Sequence, residues 1–541
     1  MRKRLSGCAL VALAISVVTP VRAENRADPD GTQWWGYIAT LAGDTFEGRD
    51  TGSVGHLAAA DFVAAEFRKA GAKPAGAGGT YFQAVPLVSE AIDAARSGVR
   101  VDVAGASTPL AVGEDIVLSA GVPQPAALTA PLAFIGYGLA IPEAGHDDFA
   151  DVDLRGKVAV RIYSGPSGIS GALLAHSQAY ALPKALEKAG AVGLITIIPP
   201  HHRDIPWDFV RRNGRHSGMY IDDPAQQDFV GPHLNGLINP AKAAALFAGS
   251  GHSLDDIFAA ASAQQPIAGF PLNGSITANV AMTTRQLTSP NVVALLPGSG
   301  KLKTQYVVIS AHLDHVGIGD PVKGDPIHHG AMDNASGVAS MLEVANQLPK
   351  KADKPRRSIL LVAVTGEEKG LLGSRYFAGN PTVPKGSIVA DINLDQPLPL
   401  FPLKHLLVMG EEQSSLGPIA RATALAQGFD TVPDGEPDRM LFVRSDNYSF
   451  IRTGVPAIGL TFGHPKGTPE DAKVADWFLT RYHTPQDNLS QPVDKVAASV
   501  FNAYLTALVA RVASEPVVPH WNSDSFFKRF ERPVSSTSST K

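Results

Sequence analysis

Tyr306-Val-Val-Ile-Ser-Ala-His-Leu-Asp314 runs from an apolar, β-branched stretch straight into a histidine and, two residues later, an aspartate. Ile359-Leu-Leu-Val-Ala-Val-Thr-Gly-Glu-Glu368 and Ile388-Val-Ala-Asp-Ile-Asn-Leu-Asp395 repeat the design with carboxylates at the end. Short, nearly continuous apolar runs of this kind are the pattern of strands buried on both faces, as in parallel sheets. Open α/β sheets carry their ligand sites beyond the carboxyl ends of the strands, which is where His312, Glu367, Glu368 and Asp395 fall. The expected fold class is α/β, with a mixed, mainly parallel sheet flanked by helices. Gly337 to Leu348 carries Val338, Met341, Leu342, Ala345 and Leu348 at helical spacing, a core-facing stripe.

Two further motifs complete the set: Asp333 within Gly330-Ala-Met-Asp-Asn-Ala-Ser-Gly337, and His483 within Tyr482-His-Thr-Pro-Gln-Asp487. Two imidazoles and three carboxylates (His312, Asp333, Glu368, Asp395 and His483) suit two divalent ions such as zinc. Glu367, beside a ligand, is then available as the general base for an attacking water. No single motif is specific, because a His-x-Asp pair arises by chance and an adjacent Glu pair usually faces solvent. Order and placement after strands make the constellation specific. His315, His328 and His329 lie near the first motif and read as histidines that do not touch a metal. The chain reads as a two-metal hydrolase.

These motifs resemble the co-catalytic di-zinc aminopeptidase family typified by bacterial leucyl and Streptomyces-type aminopeptidases, which also includes glutamate carboxypeptidase II. The resemblance rests on Ala311–His315, Gly330–Gly337, Thr365–Glu368, Ile392–Asp395, Ser445-Asp446 and Tyr482–Pro485, with weaker similarity in Leu41–Arg49 and Thr51–Ser53. It implies two Zn2+ per chain. His312 and Asp395 would hold the first, Glu368 and His483 the second, and Asp333 would bridge them. It further implies Glu367 as the base, Asp314 as acceptor of a hydrogen bond from His312, Tyr482 as a donor to the oxyanion, and a cis peptide at Asp333-Asn334. The expected activity is exopeptidase action on short peptides, with the amino end favoured over a carboxypeptidase or dipeptidase. The alternatives are a glutaminyl-cyclase-type acyltransferase with one zinc and a non-catalytic, receptor-like binding module. The full two-metal set argues against the first, and the intact ligands with Glu367 argue against the second. A serine or cysteine hydrolase is poorly supported, since no Gly-x-Ser-x-Gly elbow occurs.

The 541 residues exceed one ordinary domain. Met1-Arg-Lys-Arg4, the apolar stretch Leu10 to Val18 and Val21-Arg-Ala23 read as a signal peptide over 1–23, cleaved after about Ala23, so the protein is expected to be exported, periplasmic or secreted. Cleavage would remove Cys8, the single cysteine, leaving neither disulfide nor thiol chemistry. It would also remove four of the 47 basic residues against 51 acidic ones. That mildly acidic balance, without basic runs, argues against nucleic acid as a partner. No other run approaches the ~18 apolar residues of a membrane span, so a peptide substrate is the expected partner. Residues 24–95 read as the first part of the catalytic domain and 271–514 as its main part, with 515–541 as a tail. The stretch 96–270 reads as an insertion rich in short β-runs. Phe134-Ile-Gly-Tyr-Gly138, Asp151 to Val160 and Lys184 to Ile197 resemble a protease-associated domain.

Overall fold

The computed structural model describes residues 28–200, 205–435 and 441–532. The expected leader and the polar end Thr537–Thr540 lie outside these residues. The main sheet runs in the order Gly218–Ile221, Phe82–Ile92, Met282–Leu296, Ser358–Val364, Tyr306–His312, Ile388–Asn393, Ala457–Phe462, His405–Met409 and Asp430–Val432, with Lys73–Pro74 beside Met282–Leu296. Its four central strands, from Ser358–Val364 to Ala457–Phe462, are parallel. The strands that flank them join antiparallel. Parallel pairing is thus the centre of a mixed sheet rather than most of it.

The apolar runs are buried on both faces because side chains alternate across a strand. Val307 and Ile309 enter one core with the helices Thr32–Leu41, Val54–Lys69, Ser336–Gln347 and Lys495–Ser514. Val308 enters the opposite core with Phe377 and Phe450. The helix Lys495–Ser514 is capped by Asp494, whose carboxylate accepts the N–H of Ala497. Against expectation, it is long and apolar enough to cross a membrane. Phe501, Tyr504, Leu505 and Leu508 are buried in the main core, so its apolarity is that of a core helix.

A second, eight-stranded sheet is built between Gly98 and Asn279, in the order Ala106–Leu110, Gly98–Val103, Phe270–Asn279, Ala127–Phe134, Val158–Ile162, Gly193–Ile197, Leu234–Ile238 and Ile116–Leu118. It has its own core around Val101, Phe134, Val160 and Ile195. The expected boundary at 270 falls too early. Phe270–Asn279 pairs with strands of this sheet on both sides and buries Ile276 and Ala278 there. Nor is the segment wholly separate, since Gly218–Ile221 pairs with Phe82–Ile92 at the edge of the main sheet. The expected tail also needs correction: Trp521 and Phe527 are buried against Val443 and Tyr448, so the chain to 532 belongs to the folded body.

Candidate metal centre

Each expected ligand is delivered by the end of an element. His312 is the last residue of its strand, Glu367 and Glu368 follow Ser358–Val364 after Thr365 and Gly366, and Asp395 follows Ile388–Asn393. Asp333 lies in the turn before the helix Ser336–Gln347, with a cis peptide bond to Asn334. His483 follows the helix Pro469–Thr480 with φ 52°, a left-handed conformation uncommon outside glycine.

The five side chains form two pockets that share one carboxylate. His312 Nε2 lies 3.3 Å from Asp333 Oδ1 and 3.3 Å from Asp395 Oδ1. His483 Nε2 lies 3.2 Å from Asp333 Oδ2 and 3.1 Å from Glu368 Oε2. Both Asp333 oxygens are buried and receive no hydrogen bond. His312 Nδ1 is 3.0 Å from the main-chain carbonyl of Asp314, which places the proton on Nδ1 and leaves Nε2 bare for a ligand. The expected contact with Asp314 is therefore to its carbonyl. Its carboxylate instead accepts Thr51 Oγ1 at 2.9 Å and the N–H of Glu367 at 3.2 Å.

The electrostatics call for cations. Burial opposes charge on every member, yet His312 and His483 hold Asp333 well below the ordinary carboxylate range. Burial likewise disfavours protonated His312 and His483, but Glu367 and Asp333 around the first, and Glu368 and Asp333 around the second, push both well above ordinary histidine. The carboxylates demand positive charge strongly enough to recruit it from the imidazoles. Two oxygens without donors, set among nitrogen and oxygen ligands, fit a pair of divalent ions of the zinc type. Glu367 differs: burial, with Asp395 and Glu368 beside it, holds its carboxyl well above the usual range.

Asp333, Glu367, Asp395, Tyr482 and His483 line a cavity of about 1630 Å³. Leu398, Leu407, Phe462 and Val474 form an apolar part of its wall, and Ile169, Leu174, Phe209 and Arg212 reach it from the inserted segment. Tyr482 stacks on His483, ring centroids 3.8 Å apart. Burial and the nearby Asp333 raise its hydroxyl well above ordinary tyrosine, so it stays protonated as a donor.

Residues 291–509 match the sequence profile of peptidase family M28. Aminopeptidase YwaD of Bacillus subtilis strain 168 is 28% identical over 229 residues, 40% of this chain and 45% of that protein. A probable zinc metalloprotease of Leptosphaeria maculans is 37% identical over 107 residues, 19% of this chain and 23% of that protein. The matched stretches thus span less than half of either relative. An aminopeptidase from Aneurinibacillus sp. strain AM-1 superposes with a TM-score of 0.52 at 20% identity, covering 91% of this chain and 96% of that one, a likeness of fold.

The centre also uses residues for which the sequence predicted no role. Arg49, fully buried, donates to the carbonyls of Leu313 (2.9 Å), His329 (2.8 Å) and Gly330 (2.8 Å), tying the His312 and Asp333 loops together. Asp446 is buried behind the site with neither oxygen hydrogen-bonded, and burial, with Asp395 and Asp314 nearby, pushes it up to about 7. In the sequence neither Arg49 nor Asp446 carries a signal of burial, because a single polar residue reads the same buried or exposed. His329 is structural, facing Ala42 O and Asp325 at 3.1 Å each. His315, expected to be a loop histidine or one behind the ligands, lies beside the second pocket, its Nδ1 2.8 Å from Glu368 Oε1.

Proposed function

We propose that this chain is a two-zinc exopeptidase that removes residues from the amino end of short peptides. The observation that carries the reading is the division of Asp333, whose two oxygens face two different histidine–carboxylate pairs. Two ions held there would supply Lewis-acid stabilisation for the oxygen charge that develops at the scissile carbonyl. Glu367 takes the proton of the attacking water and returns it to the leaving amine. Its raised proton affinity suits that exchange. Tyr482, held as a donor beside His483, is placed to hydrogen-bond the oxyanion.

An aminopeptidase must accept the substrate ammonium, and Glu367 and Asp395 on the cavity wall are suitable carboxylates. Assays of purified protein on free, N-blocked and C-blocked peptides test this directly. Cleavage that needs a free amino end supports the reading, while cleavage of N-blocked peptides with a free carboxylate reverses the end recognised. Full activity after exhaustive chelation would overturn the metal-dependent reading altogether.

The inserted segment acts as a roof that restricts long or folded chains, a reading supported by its residues in the cavity wall. The leader adds export, which a mature N-terminus at Glu24 in exported protein would support and an uncleaved cytoplasmic product would refute.

A further inference from the structure

We propose that His315 is a positioning residue for the second metal pocket, holding Glu368 so that only one of its oxygens faces the ion. This rests on the reading of Glu368 as a ligand and adds a residue outside the five ligands and the base. His315 Nδ1 is 2.8 Å from Glu368 Oε1, whereas Oε2 is the oxygen turned toward His483 Nε2 at 3.1 Å. The two oxygens are thereby divided: Oε1 accepts from His315 and Oε2 faces the pocket.

The tautomer follows from burial. His315 is 0% exposed, and among the described residues its Nε2 has no hydrogen-bond partner. With the proton on Nδ1, the orphaned Nε2 is a bare lone pair. The opposite tautomer would bury an unsatisfied N–H and set a lone pair against a carboxylate, the more expensive arrangement. Direct ligation by His315 fits less well, because its Nδ1 is 3.8 Å from Asp333 Oδ2, while His483 Nε2 is 3.2 Å away.

The ring is also held rigidly. Gly330, at φ 60°, lies so close that a Cβ there would sit 2.6 Å from His315 Cγ. The backbone N–H of His315 donates to the carbonyl of Arg49 at 3.2 Å. A clamped donor fixes a carboxylate that would otherwise rotate between one- and two-oxygen contact, and lost orientation of this kind lowers metal affinity.

The test is zinc titration of the full-length protein against a competing chelator, with folding followed by circular dichroism. Asparagine places an amide N–H near the Nδ1 position, and glutamine places it near Nε2. His315→Asn should bind both ions nearly as tightly as the wild type, whereas His315→Gln and His315→Ala should weaken one ion by about 10–100-fold and spare the other. If His315→Ala does not fold, the Asn and Gln pair still decides. Equal, wild-type affinities in all folded variants would overturn the proposal, and so would loss in Asn as severe as in Gln, which would make His315 a ligand. A wild-type protein that binds no zinc fails the functional reading instead, so the two failures are distinguishable.

Discussion

Asp487 accepts the backbone N–H of Asp333 at 2.9 Å, and the N–H of Met332 at 2.9 and 3.1 Å to its two oxygens. A carboxylate four residues after His483 therefore fixes the backbone of Asp333, and it is itself fully buried. Asp487→Ala leaves both N–H groups unsatisfied in the interior, at about 1–3 kcal/mol each. The variant should unfold at lower denaturant and bind zinc about 10–100-fold more weakly. Wild-type zinc affinity in Asp487→Ala would show that the hydrogen bonds serve stability alone.

Glu367 and Glu368 should separate cleanly by phenotype. Glu367→Gln keeps its shape but cannot take a proton, so it should retain metal and lose about 10²–10⁴-fold in hydrolysis. Glu368→Gln should lower zinc affinity first. Metal content and turnover of the two variants give the answer, and reversed phenotypes would reverse the roles.

Among the five expected ligands, Asp333 presents one oxygen toward His312 and the other toward His483. Asp333→Ala should therefore release both ions at chelator concentrations where His483→Ala releases one. Equal stoichiometry in the two variants would mean that the pockets do not share this carboxylate.

The inserted segment is anchored by Asp228, which meets Arg375 at 3.0 Å and Arg452 at 2.9 Å. Arg452 also lies 4.3 Å from the Tyr180 ring centroid. Asp228→Ala leaves two adjacent cations uncompensated and should cost roughly 1.5–3 kcal/mol. If the segment roofs the cavity, the ratio of rates on long and short peptides should shift more than the rate on a dipeptide analogue. An unchanged ratio in a folded variant would make the segment a passenger.

Glu343 supplies a pH dependence away from the centre. Buried in the helix Ser336–Gln347, with Oε1 unpartnered, it is pushed up to about 7 by burial. The unfolded chain releases this proton near pH 4.5 while the folded chain keeps it. Stability should accordingly fall as pH rises between those values, by about 1.4 kcal/mol per unit. Glu343→Gln should flatten that slope in urea titrations from pH 5 to 8. A slope equal to wild type would place the titration elsewhere.

Much of the centre was legible because strand-end histidines and carboxylates announce themselves twice, by residue type and by the apolar run before them. His312, Glu368 and Asp395 follow such runs. Which ligand His315 would face was not legible, because a histidine next to Asp314 reads the same whether its ring turns inward or outward. Arg49 lies far upstream in sequence, and only chain closure brings its guanidinium to the carbonyls of 313, 329 and 330. The boundary near 270 was missed because Phe270–Asn279 and Met282–Leu296 are adjacent β-runs that pair into different sheets.

The sequence by itself determined the layered α/β class, the central strands and the kinds of side chain gathered at their ends, since periodicity and residue chemistry are local properties. Tertiary structure alone decided which oxygen of Asp333 faces which histidine, that the His312 proton goes to a main-chain carbonyl, and that Trp521 and Phe527 close the core. These depend on side chains from distant parts of the chain meeting in one low-dielectric interior, where every buried polar group must find a partner or a cation.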